Sequence, residues 1–438
     1  MMGKIRFATC ASVLGLGVAL SASGAAYASG IALREQSAEG LGNAYAGETA
    51  KAYDASTAYY NPAGMSNLPD NEISGDATWI APHVSYSGSN SNPLGGTVSG
   101  DQPGNAVKAA AIGSVFAAYR LNARWNVGMA VTTPYGMRSE YDAGWVGRYQ
   151  AMHSDVTDVE FSPVLSYKID DHWSVGGGPR IDYFTAKLGQ GINSTAVAYG
   201  ALHTLLPLQD GSANISGDDT GLGYVVSALY KYDNDTRAGI SYRSRVFHKL
   251  DGNAQYSLPG ALTPYASALG MSNQGATAKF TTPDSLNVGL YHDINSQWAV
   301  MSDLSWTHWS VLQNLNVVGD NGSAISSTPE NWRDTYFISL GASYKPSDKW
   351  VLHTGVAYDQ SPVTDANRTA RIPDTNRYYT SLGVTYNVLP NVSLDLAYAH
   401  LFADKGSITQ EANSAAGVLS GSYDNSVDIV STGITLKF

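Results

Sequence analysis

Residues 119–125 read YRLNARW, and close variants return as YKIDDHW at residues 167–173 and as YKPSDKW at residues 344–350. Each copy has an aromatic residue at both ends and a short centre with the polar and turn-forming residues typical of tight turns. Looser copies stand at residues 230–236, 291–298 and 386–392. A turn that recurs between apolar stretches predicts a series of antiparallel strands joined by six tight turns.

The stretches between these turns alternate in polarity, as strands with two different faces do. Leu394, Leu396 and Tyr398 share one face of a strand, and Ser393 and Asp395 share the other. In a soluble sandwich the apolar face would point to a core, whereas in an outer-membrane barrel it points to lipid between aromatic girdles.

Seven longer connections lie near residues 88–108, 139–152, 190–217, 249–274, 312–331, 363–375 and 405–422. Together with the six turns, they predict a 14-stranded antiparallel transmembrane β-barrel with both ends on the short-turn, periplasmic side.

The N-terminus has the plan of a secretory signal peptide. Lys4 and Arg6 precede a short apolar run, and residues 26–28 read AYA, which predicts cleavage after residue 28. The chain has 45 glycines and 28 tyrosines but only 14% charged residues, a composition that favours glycine-bearing, aromatic-girdled strands. A soluble chain of 438 residues would need two or more domains, and no linker-like shift in composition divides this one.

Charge and motifs exclude several functions. The formal charge of −11, or −13 without Lys4 and Arg6, argues against nucleic-acid binding. The only cysteine, Cys10, lies in the signal peptide, so we expect no disulfide and no cysteine metal ligand in the mature protein. We find no catalytic or cofactor motif, and the nine histidines are scattered. We therefore expect a protein that is not an enzyme and has no catalytic residues, metal or cofactor, although a serine–histidine lipase on the barrel wall stays open.

The stretch that follows the signal peptide does not alternate like a strand. It contains SGIAL at residues 29–33, GLGNAYAG at residues 40–47 and NPAGM at residues 61–65. Its glycines, proline and small residues suit a compact irregular segment. We interpret residues 29–70 as a plug inside a barrel of residues 71–438. Asn61, Pro62, Ala63 and Gly64 alone would also fit an ordinary turn.

These blocks, together with residues 361–363, 367–368, 372–374 and Arg377, resemble the FadL-type outer-membrane transporters over the whole mature chain. The resemblance implies a barrel with an N-terminal hatch that takes up long-chain fatty acids or, in some branches, aromatic hydrocarbons. It implies a monomer in the bacterial outer membrane whose partners are a hydrophobic ligand, membrane lipids and the barrel-assembly machinery. The chain ends on Phe438, an aromatic residue like the assembly signal of such barrels.

The resemblance also suggests where a fatty-acid carboxylate would bind. Arg333 lies in WRDTY, residues 332–336, which is similar to the family segment that supplies a basic contact. By strand parity with Phe337 its side chain is predicted to point inward. Arg180 is predicted to point inward on another strand, where the family has a second basic residue farther along and this chain has Gln190. The alternative is that these arginines, with Arg368 and Arg377, pair with lumenal acids and brace the plug.

Two long loops and one strand complete the predicted route. The loops carry an unusual set of apolar residues, which we expect to form a cap and a first docking groove: Leu202, Leu205, Leu206, Leu262, Tyr265 and Leu269. Pro134 and Gly136 predict a break or inward kink in the third strand, or else simply its end. The family resemblance implies that ligand leaves sideways through this kink.

The sequence therefore predicts passive uptake by loop capture, a lumenal pocket and lateral exit through the wall. Aromatic hydrocarbon uptake by the same fold is the main alternative. A water-filled porin would share the barrel and its girdles, but it would need an open lumen.

Overall fold

The computed structural model describes residues 30–438. The predicted signal peptide, Cys10 and Ser29 lie outside the described residues. The strands are β1 (Glu72–Asn90), β2 (Ala110–Arg120), β3 (Trp125–Thr132), β4 (Gly136–Glu140), β5 (His153–Lys168), β6 (Trp173–Ile192), β7 (Gly211–Lys231), β8 (Thr236–Arg243), β9 (Val246–Ser257), β10 (Gln274–Thr282), β11 (Ser285–Asp293), β12 (Trp298–Thr307), β13 (Asn314–Gly319), β14 (Ala324–Pro329), β15 (Thr335–Ser347), β16 (Trp350–Asp359), β17 (Arg377–Leu389), β18 (Val392–Ala403), β19 (Gly406–Glu411) and β20 (Val418–Lys437).

The helices of the described residues are short. They are α1 (Ala38–Gly42), α2 (Thr57–Tyr60) and α3 (Ser194–Leu202), with 3-10 helices at Pro62–Asn67, Thr263–Tyr265 and Trp309–Val311. None of these described helices has the length and apolar character needed to cross a membrane.

The strands form one closed antiparallel barrel with 14 wall strands, as predicted. Six wall strands are interrupted and consist of two consecutive β-strands each: β3–β4, β8–β9, β10–β11, β12–β13, β14–β15 and β18–β19. The first and last strands close the wall, pairing from Glu72 opposite Lys437 to Asn90 opposite Leu419. Closure leaves the first and last strands without a free edge. A membrane protein built of β-strands needs this closure because lipid cannot hydrogen-bond to unpaired backbone groups.

The six predicted turns are confirmed, and the structure explains their motif. In the first turn Asn122 Oδ1 accepts hydrogen bonds from the backbone N–H groups of Arg124 (2.9 Å) and Trp125 (3.0 Å). Asp170 does the same one turn later, at 2.8 and 2.7 Å. The aromatic ends pack against those of the neighbouring turn, with ring centroids 4.7 Å apart for Trp125 and Tyr167. The motif therefore builds the short-turn girdle across adjacent strands.

Side chains alternate between the two faces of the wall as predicted. Leu394, Leu396 and Tyr398 are exposed, whereas Asp395 and Ala397 are buried. The exposed face is the lipid face and the buried face lines the interior. The seven long connections are also present, but several are shorter than predicted because strands continue beyond them. The hairpin β13–β14, for example, occupies most of the connection predicted at residues 312–331.

Residues 30–68, here called the N-terminal segment, lie against the inward face of the wall. The Ala63 backbone N–H donates to Ser227 Oγ of β7 (3.1 Å), and the Ala63 carbonyl accepts from Ser174 Oγ of β6 (2.9 Å). On another part of the wall, Gly42 O accepts from Ser381 Oγ of β17 at 3.2 Å. Lys51 forms buried ion pairs with Glu39 and Glu48 within the segment. The segment is thus bonded to several wall strands and contains a buried ion-pair cluster of its own.

Candidate functional site

The third wall strand breaks at the predicted position. β3 ends at Thr132 and β4 begins at Gly136, with Pro134 between them. Among the described residues, the ladder between β2 and β3 stops at Val115 opposite Val131. Pairing resumes as a single bridge between Val107, which precedes β2, and Ser139 of β4. We call the unpaired stretch, residues 109–114 opposite 132–137, the first gap. The strand is interrupted here and does not end, because β4 continues to pair with β5.

The N-terminal segment takes the place of the missing ladder. Leu33 N donates to Pro134 O, and Gly136 N donates to Ile31 O, both at 2.8 Å. Gln36 bridges the two sides of the gap, since its Oε1 accepts from Ser114 Oγ (2.9 Å) and from Thr133 N (3.1 Å). Pro134 has no N–H to donate, so it can occupy this break without leaving a buried donor unsatisfied.

An apolar cavity reaches the inner side of the first gap. Met137 and Val156 line it at the gap, and Phe184, Phe280 and Trp332 line it farther inside. Ile31 brings the N-terminal segment into the same lining. A mostly apolar lining with few polar groups is typical of a site for a hydrophobic ligand.

Two charged side chains also line this cavity, Arg371 and Glu330. Arg371 Nη2 donates to Gln190 Oε1 (2.8 Å), and its Nη1 donates to the carbonyls of His153 (3.1 Å) and Gly189 (3.2 Å). Burial lowers the pKa of Arg371, to about 10, so the guanidinium remains charged at neutral pH. Glu330 is buried and accepts from Trp332 Nε1 at 3.1 Å. The cavity thus combines an apolar wall with one fixed cation and one acid.

Arg333 does not point inward, so that prediction from strand parity is wrong. Its side chain is exposed, and its Nε donates to the Ser361 carbonyl at 3.2 Å. The strand β15 begins only at Thr335, so the alternation that holds for Phe337 does not extend back to Arg333. Arg371 was not predicted, because it lies between motif residues Arg368 and Ile372 in a connection without strand periodicity.

Arg180 does point inward, into a second and more polar cavity. It is paired with Glu160 (2.7 Å) and Asp182 (3.1 Å), and Arg243 is paired with the same Glu160. Both arginines line this polar cavity beside Tyr59 of the N-terminal segment. Arg377 is likewise paired with Asp359 and Asp374, which favours the bracing role considered for these arginines.

The residues of the NPAG block are all buried. Asn61 Nδ2 donates to the carbonyls of Thr49 (2.6 Å) and Ala228 (3.1 Å), and its Oδ1 accepts from Ala63 N at 3.1 Å. Pro62 is the first residue of a 3-10 helix, where its fixed φ suits the turn. A side chain at Gly64 would meet Thr57 and Ala52 of the same segment, so this glycine serves packing within the segment.

The loop residues vary in exposure. Leu262 is buried and Leu202, Leu206 and Leu269 are half-buried, whereas Leu205 and Tyr265 are exposed. Leu202 ends α3, and Tyr265 ends a 3-10 helix in the other loop. Their use as a cap or a docking groove remains a prediction. No metal-binding cluster of histidine, cysteine or acidic residues occurs in residues 30–438.

The structure is a closed 14-stranded barrel with a lipid-facing apolar surface and short turns at one end. Its internal cavity meets a gap in the wall. These features define an outer-membrane transport barrel. The chain belongs to the family described as outer membrane protein transport protein (OMPP1/FadL/TodX), whose model matches residues 19–438. It is an outer-membrane protein.

Individual relatives cover nearly the whole chain. The long-chain fatty acid transport protein of Salmonella typhi is 29% identical over 410 residues, which are 91% of this chain and 93% of the relative. A solved FadL homologue of Pseudomonas aeruginosa is 26% identical with a TM-score of 0.87, covering 93% of this chain and all of that structure. The Pseudomonas putida toluene transporter TodX is 17% identical with a TM-score of 0.66, over 94% of this chain and all of that one, and shows the fold alone.

Proposed function

We propose that this protein takes up long-chain fatty acids or related hydrophobic compounds passively. Ligand is captured at the loops, occupies the apolar cavity and leaves sideways through the first gap. The observation that carries the proposal is the position of the cavity, because Met137 and Val156 line it at the gap. An alkyl chain loses roughly 0.8 kcal/mol for every CH₂ that enters water, so an apolar path to the membrane is favoured over a polar lumen.

The N-terminal segment is, on this proposal, the plug that closes the lumen to water. Its buried contacts with β6, β7 and β17 support this role. The N-terminal segment also has contacts at the proposed exit, because Gln36 bridges the first gap. A water-filled porin would need this segment to leave the lumen.

Arg371 is the group that would meet a carboxylate head in the apolar cavity. It takes over the role that the sequence assigned to Arg333, because it lines the cavity and carries a charge. A hydrogen bond from a charged donor is worth about 1.5 to 3 kcal/mol, enough to favour an acid over a neutral ligand. Aromatic hydrocarbons stay the second candidate, favoured by the aromatic lining from Phe184 and Phe280.

The exit is tested by locking the first gap. Ser114 and Thr132 lie at the end of the gap nearest the β2–β3 turn, one position beyond the last ladder pair, Val115 opposite Val131. The double variant Ser114→Cys/Thr132→Cys should form a disulfide that keeps the strands from separating. We expect oxidised protein to bind oleate but to take it up more slowly, with recovery on reduction. Equal uptake rates in the oxidised and reduced forms would contradict lateral exit here.

A further inference from the structure

The wall contains a second interruption, on the side where β7 meets β8 and β9. The ladder runs from Lys231 up to Val225 opposite Arg243, stops, and resumes at Asp218 opposite Asp251. Between these points the described strands form no ladder pairs across residues 219–223 and 245–250, here called the second gap. β7 remains paired with β6 throughout this stretch, so the interruption is confined to one side of the strand.

Each edge of the second gap is held by hydrogen bonds that replace ladder bonds. At the lower edge Ser244 N donates to Tyr224 O and Tyr224 N donates to Ser244 Oγ, both at 2.9 Å. Arg180 Nη1 reinforces this edge by donating to Ser244 O at 2.7 Å. At the upper edge the Asp219 side chain accepts from Lys249 N at 3.2 Å. The gap is therefore bounded at both ends and cannot lengthen along the strands without breaking these bonds.

Two side chains fill the second gap. Gly221 and Gly223 leave room on β7, and Val246 and His248 of β9 occupy it. A Cβ at Gly221 would collide with Val246 Cγ1 and would lie 2.7 Å from His248 Cε1. A Cβ at Gly223 would lie 2.8 Å from Val246 Cγ2. The wall is thus closed here by side chains rather than by backbone hydrogen bonds.

The inner side of this filling meets the apolar cavity. The His248 ring packs on Phe184, with centroids 5.0 Å apart, and Phe184 packs on Phe280 at 4.9 Å. Phe184 and Phe280 both line the cavity, as do Gly217 and Leu250, which adjoin the gap on β7 and β9. The filling of the second gap therefore packs directly on side chains that line the cavity.

The outer side of the filling is strongly apolar. Leu222 and Phe247 flank the gap on the lipid face and are 72% and 70% exposed. His248 is only loosely held by polar contacts, since its Nδ1 lies 3.3 Å from Asp219 Oδ2 without hydrogen-bond geometry. Turning this ring aside costs its packing on Phe184 and the 3.3 Å contact with Asp219. The first gap differs, because there Gln36 of the N-terminal segment bridges the two sides.

We propose that the second gap is a further side passage, through which an alkyl chain moves between the apolar cavity and the membrane when Val246 and His248 turn aside. The inference rests on the proposed function, because it assigns this passage to the same hydrophobic ligand. It adds an exit from the cavity that does not cross the wall at the third wall strand.

A cysteine pair inside the gap tests the passage. Gly221 and Val246 are close enough for Gly221→Cys/Val246→Cys to form a disulfide across it. No other cysteine interferes, because Cys10 lies in the predicted signal peptide. A matched pair in an intact ladder is Ser339→Cys/Ala357→Cys, whose positions lie opposite each other on β15 and β16. We expect the gap disulfide to slow oleate uptake reversibly, whereas the matched disulfide leaves the rate unchanged.

The combination of both locks separates this inference from the proposed function. Oxidation of the first-gap pair alone should leave a residual uptake rate. Adding the second-gap pair should abolish the remaining uptake. If the first lock alone abolishes uptake and the second lock alone has no effect, the second passage is wrong while lateral exit stands. If the doubly locked protein takes up oleate at the wild-type rate, lateral exit itself is wrong.

If the disulfide variant fails to fold, a second pair of variants tests the passage without a cross-link. Val246→Ala and His248→Ala remove the filling and should raise the uptake rate, whereas Val351→Ala, a buried inward residue of the intact wall, should not. His248→Cys should also react with a maleimide dissolved in the bilayer faster when oleate is present. A His248→Cys thiol that stays unreactive with and without oleate would overturn the passage.

Discussion

A single arginine, Arg371, supplies the apolar cavity with its cation. We expect Arg371→Ala to weaken oleate binding by about 1.5 to 3 kcal/mol, the range for a hydrogen bond to a charged group. Arg371→Lys should lose less, because it keeps the charge but not the forked donors. Calorimetric titration with oleate and with methyl oleate measures the effect, and the ester should bind the wild type and the alanine variant equally.

Arg333→Ala is the matched control for this prediction. Arg333 carries the same charge and also lies in a connection between strands, but its side chain is exposed and outside the cavity lining. Its replacement should leave oleate affinity unchanged. Loss of affinity in Arg333→Ala with retention in Arg371→Ala would return the carboxylate contact to the residue that the family resemblance indicates.

Gly176 shows how closely the wall approaches the N-terminal segment. An ideal Cβ at this position would collide with Ala63 N and would lie 2.6 Å from Pro62 C. Gly176→Ala should therefore push the NPAG block off β6 and change uptake while the barrel still folds, which heat-modifiable gel migration would show. Gly75→Ala is the control, because its Cβ would meet only Ser114 O at 3.9 Å. Wild-type uptake in both variants would count against a tight contact.

At the scale of elements, the turns and the strand faces could be predicted because each depends on local chemistry. Asn122 and Asp170 cap their own turns, and the alternation at Leu394 and Leu396 follows from the pleat alone. Local rules fail where a strand is interrupted. Arg333 lies in such an interruption, between β14 and β15, and no sequence period shows where the next strand begins.

The two gaps differ in how far the sequence could indicate them. Pro134 marks the first gap, since proline removes a ladder donor. The second gap has no proline and depends on the packing of Val246 and His248 against glycines of another strand. Arg371 was missed for a similar reason, because its position follows from bonds to Gln190 and Gly189, far away in the chain. Such long-range contacts leave no local pattern.

At the scale of the whole molecule, the plug role proposed for the N-terminal segment predicts how the barrel conducts ions. If residues 30–68 close the lumen as proposed, the intact protein should show little steady conductance in planar bilayers. Deletion of residues 30–68 should leave a 14-stranded pore that conducts strongly, since barrels of this kind enclose a polar interior. A large steady conductance of the intact protein would favour the porin alternative.

The seam between β1 and β20 also constrains the order of events during assembly. The N-terminal segment is bonded to β6, β7 and β17, on different parts of the wall, and its chain continues directly into β1. Threading a segment with buried ion pairs at Lys51 into a barrel that had already closed would require these charged groups to be inserted past a finished wall. We therefore expect the sheet to wrap around the segment and the seam between β1 and β20 to form last. A chain stalled before that step would present the segment to periplasmic proteases, so cleavage within residues 30–68 would report how many molecules had failed to close.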